Sequence, residues 1–250
     1  MARSPSAEYL VIDIETVPDT QRWQPPAEAQ GSVFPPTWAH RVVVIGMMWL
    51  DHSYRLKKFG LLGDPAFVGT EDERERALLS DFSRLVGKQR PILVTYNGRS
   101  FDLPVIALRA LCHGVSLAWY YREKNVRARY SEEGHLDLCD WLADHGATRS
   151  GSLDAIAKLI GLPGKIGIDG SQVEGLYAAG ELEKIRAYCL SDVMQTALLL
   201  LRFRLLQGGL APEVYERAAK GLLDALAPDA RVADVLAGID RRHLVTTAPA

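Results

Sequence analysis

The spacing of hydrophobic positions changes several times along the chain, from two residues, typical of strands, to three or four, typical of helices. Apolar or alternating runs predict five strands, at residues 10–16, 41–50, 54–59, 91–96 and 135–138. Helical spacing predicts helices at residues 70–87, 103–112, 152–160 and 181–207, followed by two short helices within 212–243. Early hairpins followed by strand–helix units predict an α/β fold, a mixed β-sheet flanked by α-helices.

Local chemistry marks the ends of two of these helices. Thr70 and Glu73 have the spacing of a capping box, in which each side chain accepts from the other's backbone. Gly87 is the predicted end of that helix. Gly208 and Gly209 are the predicted end of the longest helix, which begins near Glu181.

Composition narrows the function classes. The 250 residues are 48% hydrophobic and 24% charged, which is ordinary for a globular protein. The formal net charge of −2 argues against a protein that holds nucleic acid mainly through a strongly basic surface. No signal peptide or membrane-spanning run is expected. Three widely spaced cysteines (Cys112, Cys139 and Cys189) argue against a disulfide framework and favour a reducing cytoplasm.

The first strand carries two acids, Asp13 and Glu15. Alternate residues of a strand point to the same side, so these carboxylates share one face while Ile12 and Ile14 occupy the other. Two adjacent carboxylates repel each other, and burying them is costly unless they are paired or bind a metal. The strand therefore has either a solvated acidic face or a cation site.

Three further residues have the chemistry to complete such a site. Asp102 lies where a buried strand meets a helix, a position that also suits a helix N-cap or first-turn acid. Tyr188 and Asp192 are four residues apart and share one face of the longest helix, which could equally be a solvated stripe. Together with Asp13 and Glu15 they fit phosphodiester hydrolysis with two Mg²⁺ or Mn²⁺ ions, because these hard cations prefer carboxylate oxygens.

Three other segments leave alternatives open. The proline-rich loop at residues 17–40 carries Trp23, Phe34 and Trp38, which either stack on a nucleobase or pin the loop to its own domain. The basic stretch at residues 122–129 either guides a nucleic-acid strand or is a solvated charge run. The glycine-rich segment at residues 161–170 lacks P-loop spacing and carries no nucleotide-binding prediction.

The acidic residues stand in three segments that resemble, in order, the three motifs of the DEDD superfamily of 3′–5′ exonucleases: Val11-Ile-Asp13-Ile-Glu15-Thr16, Asn97-Gly-Arg-Ser-Phe101-Asp102 and Tyr188-Cys-Leu-Ser-Asp192. The third motif has the tyrosine form, because the histidine form would need His where Ala187 stands. The chain therefore resembles the DEDDy branch, and is most similar to stand-alone bacterial proteins described as polymerase-B-like predicted 3′–5′ exonucleases.

The resemblance implies an RNase H-like fold and metal-binding roles for the acids. Asp13, Glu15 and Asp192 would hold one ion beside the attacking water. Asp13 and Asp102, the latter partly through water, would hold a second ion at the leaving oxygen. Tyr188 would orient the attacking water.

The same resemblance implies contacts with the end of the substrate. Asn97 and Phe101 would contact the terminal nucleotides, and Phe101 would stack on or wedge between bases. The backbone around Thr16 would approach the terminal 3′ nucleotide. The expected domain organisation is an exonuclease domain at residues 1–208 and a C-terminal helical extension and tail at residues 209–250.

Three functions follow as hypotheses. The first is a cytoplasmic, metal-dependent 3′–5′ exonuclease that releases nucleoside 5′-monophosphates from single-stranded DNA, with a role in DNA repair. The second is a 3′–5′ exoribonuclease that trims RNA, disfavoured because such enzymes usually carry additional helical domains. The third is a non-catalytic nucleic-acid-binding or protein-binding module. No membrane partner is expected, and a polymerase or repair partner would act in trans.

Overall fold

One five-stranded β-sheet forms the centre of the structure, a computed structural model that describes residues 7–26 and 33–245. Its strands are β1 Tyr9–Pro18, β2 His40–Leu50, β3 Leu56–Leu61, β4 Ile92–Thr95 and β5 His135–Asp137. The strand order is β3-β2-β1-β4-β5. The first three strands pair antiparallel, whereas β4 and β5 run parallel to β1 and to each other. The predicted mixed sheet is confirmed.

Helices cover both faces of this sheet. They are α1 Glu71–Gln89, α2 Asp102–His113, α3 Ala118–Arg122, α4 Lys124–Arg127, α5 Leu138–Leu142, α6 Leu153–Leu159, α7 Val173–Ala178, α8 Leu182–Leu206, α9 Pro212–Leu226, α10 Ala233–Ala237 and α11 Arg241–Val245. Short 3-10 turns lie at Thr37–Ala39, Asp144–Gly146, Gly170–Gln172 and Ala230–Val232. Within the described ranges, no helix combines the length and the apolar composition needed to cross a membrane.

The two ends of α1 test two local sequence signals, a capping box at the start of the helix and a glycine at its end. The capping box at its start is present, with the side chains of Thr70 and Glu73 each bonded to the other's backbone. The predicted end at Gly87 is wrong, because the helix passes through this residue to Gln89. Glycine weakens a helix by only about 1 kcal/mol. Arg90 ends it in a left-handed conformation (φ 50°), since the following Pro91 disfavours a helical conformation at this position.

The C-terminal part of the chain is more helical than predicted. Instead of two short helices, the structure has the 15-residue α9, a 3-10 turn and the two short helices α10 and α11. An apolar stripe on α9 is buried in the same core as α8. The Tyr215 hydroxyl on α9 donates to the Leu244 carbonyl, and Arg202 on α8 donates to the same carbonyl. Residues 209–245 thus pack onto the sheet domain, and the boundary at 208/209 stays a prediction.

Alternating side chains of β1 separate the two main cores. Tyr9 and Val11 lie in the core beneath α8 and α9, whereas Leu10, Ile12 and Ile14 lie in the core beneath α1 and α2. Because the period is two, residues 13 and 15 continue the α8 side of the strand. The strand therefore turns from apolar to acidic on that side, where α8 crosses it.

A buried ion-pair network lies on the side of the sheet that α1 and α2 cover. Arg109 on α2 is only 1% exposed and donates to both oxygens of Glu75 on α1, at 2.8 and 2.6 Å. It also donates to Asp19, just after β1, at 2.7 Å. Arg41 at the start of β2 pairs with Asp19 and with Asp72 on α1. The network joins β1, β2, α1 and α2, and the sequence patterns predicted none of it.

Candidate active site

A cleft of about 500 Å³ opens beyond the C-terminal end of β4. Seven of the eight predicted site residues line it: Asp13, Glu15, Asn97, Phe101, Asp102, Tyr188 and Asp192. The eighth, Thr16, does not line it, and its hydroxyl lies 2.9 Å from Nδ1 of His40. Three elements distant in sequence, β1, α2 and α8, therefore converge on one cleft.

Asp13 and Glu15 project from the α8 face of β1. Glu15 is 7% exposed, and carboxylate oxygens of both residues lie within 4.8 Å of each other and of the Cys189 sulfur. The Cys189 thiol lies 3.4 Å from Oδ2 of Asp13. The solvated acidic face that the sequence left open is thereby excluded for Glu15, because α8 packs against β1 at this point.

Asp102 reaches the same cleft from the first turn of α2. The β1–β4 pairing covers only residues 9–11 of β1, so the backbone of β1 beyond Val11 is open on the β4 side. The Asp102 carboxylate accepts hydrogen bonds from the N–H of Ile14 and from its own N–H. These bonds hold the carboxylate beside the strand that carries Asp13 and Glu15.

The close approach of α8 to the sheet depends on Gly46. This glycine is paired with Asp13 across β1 and β2. A Cβ atom at Gly46 would lie 2.8 Å from the Cys189 sulfur and 3.0 Å from the Val193 side chain, closer than van der Waals contact. Glycine therefore lets α8 approach the sheet closely, next to Asp13.

The hydroxyl of Tyr188 donates a hydrogen bond to the Asp192 carboxylate one turn further along α8. Burial, together with the charges of Asp192, Glu15 and Asp13, raises the pKa of the Tyr188 phenol far above its usual value. In the metal-free protein Tyr188 therefore stays protonated and donates a hydrogen bond to Asp192.

Burial and mutual repulsion dominate the electrostatics of the four carboxylates. Burial, followed by the charges of Glu15, Asp102 and Asp192, raises the pKa of Asp13 well above its usual value. Burial and the neighbouring acids do the same for Glu15. Burial raises the pKa of Asp102 to about 7 and that of Asp192 to about 6. Without a counter-charge the cluster holds protons that ordinary carboxylates release.

Lys165 is the only basic residue among the described residues that line the cleft. Its charge lowers the pKa of both Glu15 and Asp192. It comes from the glycine-rich segment at residues 161–170, which has no P-loop spacing and carried no nucleotide-binding prediction. Cys189 was likewise not among the predicted site residues, although its thiol contacts Asp13.

The donor set fits a divalent cation. Its carboxylate oxygens are the ligands that hard cations prefer, and the raised pKa values show that the protein itself leaves their negative charge largely uncompensated. A second acidic group, Asp72, Glu75 and His113, has similar spacing. Arginines already neutralise that group, because Arg109 and Arg41 bond its carboxylates. The cleft, and not the second group, has the charge to bind a metal.

An aromatic cluster borders the cleft. The ring of Phe101 lies 5.0 Å from that of His40 and 5.9 Å from that of Phe34. His40 is buried and bonds both Thr16 and the carbonyl of Pro35, which fixes the end of the 17–40 loop. Phe34 itself is 74% exposed. The loop is pinned to its own domain at His40, and the exposed ring of Phe34 lies next to Phe101, which lines the cleft.

A mixed sheet with four carboxylates and a tyrosine converging on one cleft is the arrangement expected of a nuclease with an RNase H-like fold. The chain belongs to the family described as "Predicted 3'-5' exonuclease related to the exonuclease domain of PolB", which it matches over residues 32–237. The chain thus carries a domain of the PolB-type 3′–5′ exonuclease family, and the resemblance inferred from the three motifs is confirmed.

Individual relatives agree with this assignment. The fold is similar to that of the family B DNA polymerase from the hyperthermophilic archaeon Pyrobaculum calidifontis, with a TM-score of 0.55 and 19% identity, over 99% of this chain and 28% of that one. In sequence, the chain is 25% identical over 142 residues to the catalytic polypeptide of DNA polymerase epsilon from Schizosaccharomyces pombe, and 25% identical over 148 residues to that from Emericella nidulans. The matches cover 55% of this chain and 6% of each polymerase polypeptide.

Proposed function

We propose that the protein removes nucleotides from the 3′ end of single-stranded DNA and releases nucleoside 5′-monophosphates, with two divalent cations, Mg²⁺ or Mn²⁺, as cofactors. The observation that carries this proposal is the convergence of Asp13, Glu15, Asp102 and Asp192 on one cleft beside the protonated Tyr188. Bound cations would supply an activated water and neutralise charge on the phosphate.

Each residue of the cleft has a distinct task in the proposed reaction. Asp13, Glu15 and Asp192 would hold one cation, and Asp13 with Asp102 the other. Tyr188 would orient the attacking water through its hydroxyl group. The ammonium group of Lys165 adds a positive charge to the cleft, where the phosphodiester would lie.

DNA is the favoured substrate because the named polymerase relatives act on DNA. The cleft itself supports a single strand, since the exposed ring of Phe34 beside Phe101 offers an unpaired base a stacking surface. RNA is the alternative, because carboxylate-bound cations and aromatic stacking do not by themselves distinguish the two sugars. The experiment must therefore compare both.

The direct test is a degradation ladder on 5′-labelled oligonucleotides of one sequence, as single-stranded DNA, duplex DNA and RNA, with Mg²⁺, Mn²⁺ or EDTA. Shortening from the 3′ end, fastest on single-stranded DNA and absent in EDTA, is the expected result. Faster shortening of RNA would assign the exoribonuclease function. Binding of the oligonucleotide without shortening in either metal would contradict both and leave a binding module.

The exposed ring of Phe34 allows a separate prediction. Replacement of Phe34 by Ala is expected to raise KM for single-stranded DNA about tenfold, because stacking of one base is worth about 1–3 kcal/mol. Phe34→Trp keeps a stacking ring and should stay close to the wild type. The measurement is repeated with an oligonucleotide whose 3′-terminal nucleotide lacks a base. If Phe34→Ala weakens binding of both oligonucleotides equally, Phe34 does not stack on the terminal base.

A further inference from the structure

Asp137, the last residue of β5, carries a buried carboxylate that no predicted role explains. The residue is 1% exposed. One carboxylate oxygen accepts from the N–H of Asn97 at 2.8 Å, and the other accepts from the N–H of Arg99 at 2.7 Å. The first oxygen also accepts from the N–H groups of Cys139 and Asp140, which caps α5. The side chain thus connects α5 to the turn that follows β4.

This turn has a conformation that needs support. Asn97 has a positive φ of 66°, which residues other than glycine rarely adopt. Gly98 packs so closely that a Cβ atom there would lie 2.6 Å from the side chain of Thr95. Such backbone conformations persist where their surroundings hold them. The carboxylate of Asp137 bonds the turn on both sides of Gly98.

The turn leads directly into the residues of the cleft. The carbonyl of Asn97 accepts from the N–H of Phe101 at 3.1 Å, and the carbonyl of Gly98 accepts from the N–H of Leu103 at 2.9 Å. Phe101 and Asp102 follow within this hydrogen-bonded segment. A change in the turn would therefore move the Phe101 ring and the Asp102 carboxylate together.

We propose that Asp137 is a positioning residue for the exonuclease reaction, whose carboxylate holds the 97–99 turn so that Asn97, Phe101 and Asp102 face the cleft. This role rests on the proposed function. Asp137 touches neither the substrate nor the reacting atoms and acts through the backbone amides of the turn. The competing explanation is that it only caps α5.

Two substitutions separate the explanations. Serine is among the best N-cap residues, so Asp137→Ser is expected to keep the cap of α5. Its short side chain with one oxygen cannot also bond the amides of Asn97 and Arg99. Asp137→Asn keeps one acceptor oxygen, and its kcat should lie between those of Asp137→Ser and the wild type.

The expected result for Asp137→Ser is a fall in kcat of about tenfold to hundredfold, since a displacement of about 1 Å in an active site can cost about 10²-fold. Hydrogen exchange at the amides of Asn97 and Arg99 should accelerate in this variant, while the amides in the middle of α1 stay unchanged. Thr70→Ala is the matched control, because it removes the cap of α1 on the opposite face of the sheet. It should lower Tm without lowering kcat.

Wild-type kcat in Asp137→Ser, measured below its Tm, or unchanged exchange at both amides would overturn the positioning role. If the wild type itself releases no nucleotide, the proposed function fails. The exchange measurement still decides in that case whether Asp137 holds the turn. The two failures are therefore distinguishable.

Discussion

Replacing Asp13 by Asn is expected to reduce release of 3′-terminal nucleotides by about 10³-fold or more. Asp13 would contact both cations. Their charge stabilises a phosphoryl transition state by several kcal/mol. Each 1.4 kcal/mol corresponds to a factor of about ten in rate. The same substitution should raise the Tm of the metal-free protein, because it removes one of four closely spaced carboxylates that repel one another. The rise in Tm on adding Mg²⁺ or Mn²⁺ should largely disappear.

The matched control is Asp81→Asn. Asp81 lies on α1 and forms an exposed pair with Arg84, which contributes little to stability. This variant should keep the activity, the Tm and the response to metal of the wild type. Asp13→Asn protein that retains activity within tenfold of the wild type would contradict the assignment of Asp13 as a metal ligand.

The second large effect is the dependence of the metal-free protein's stability on pH. The folded-state pKa values of Asp13, Glu15, Asp102 and Asp192 are all raised. The folded protein therefore binds more protons than the unfolded chain between the unfolded and folded pKa values, and stability falls as the pH rises through that window. For Asp102 the window extends from the ordinary value near 4 to about 7.

At lower pH, buried histidines change the protein's stability in the direction opposite to the carboxylates. Burial lowers the pKa of His135 to about 3 and also lowers that of His40, so their contribution makes stability rise with pH up to about 6.5 and then ends. The range above pH 6.5 therefore excludes the histidines, and Asp102, with a pKa of about 7, still titrates there. The free energy of unfolding should fall by about 1 kcal/mol from this carboxylate, because one pKa unit is worth about 1.4 kcal/mol, and the raised pKa values of Asp13 and Glu15 act in the same direction.

The measurement is thermal unfolding in EDTA from pH 6.5 to 8.5, repeated with Mg²⁺ or Mn²⁺. A fall of at least about 2–4 °C in Tm across this range is expected in EDTA, given about 2–4 °C per kcal/mol for a chain of this size. Metal should abolish the fall, and Asp102→Asn should reduce it in EDTA. A Tm that stays constant with pH in EDTA would contradict the carboxylate repulsion.

Local sequence signals accounted for much of the fold. The alternation of β1 placed Asp13 and Glu15 on one face, and that placement holds in the structure because a strand has a fixed period of two. The capping box of Thr70 and Glu73 marked the start of α1 for a similar reason, since its bonds lie within four residues. The end of α1 was missed, because it depends on Pro91 and not on Gly87.

Long-range contacts could not be derived in this way. Nothing local indicates that Gly46 permits the close approach of α8, that Lys165 enters the cleft from the glycine-rich segment, or that Arg109 bonds two acids from different elements. Phe34 could be recognised as a candidate for stacking, but the sequence did not show whether its ring faces solvent or the core. Such pairings depend on the distances between elements, which hydrophobic spacing does not encode.

The sequence alone identified the candidate chemistry of the site, because three motifs supplied the acids, the tyrosine and the elements that carry them. It also determined the mixed sheet, through the order of strands and helices. Only the tertiary structure decided whether Asp13 and Glu15 form a solvated edge or a site. They form a site because α8 covers the middle of β1 and brings Tyr188 and Asp192 to the same cleft as Asp102. The repulsion between these closely spaced carboxylates, which makes the cleft a candidate cation site, arises from that convergence.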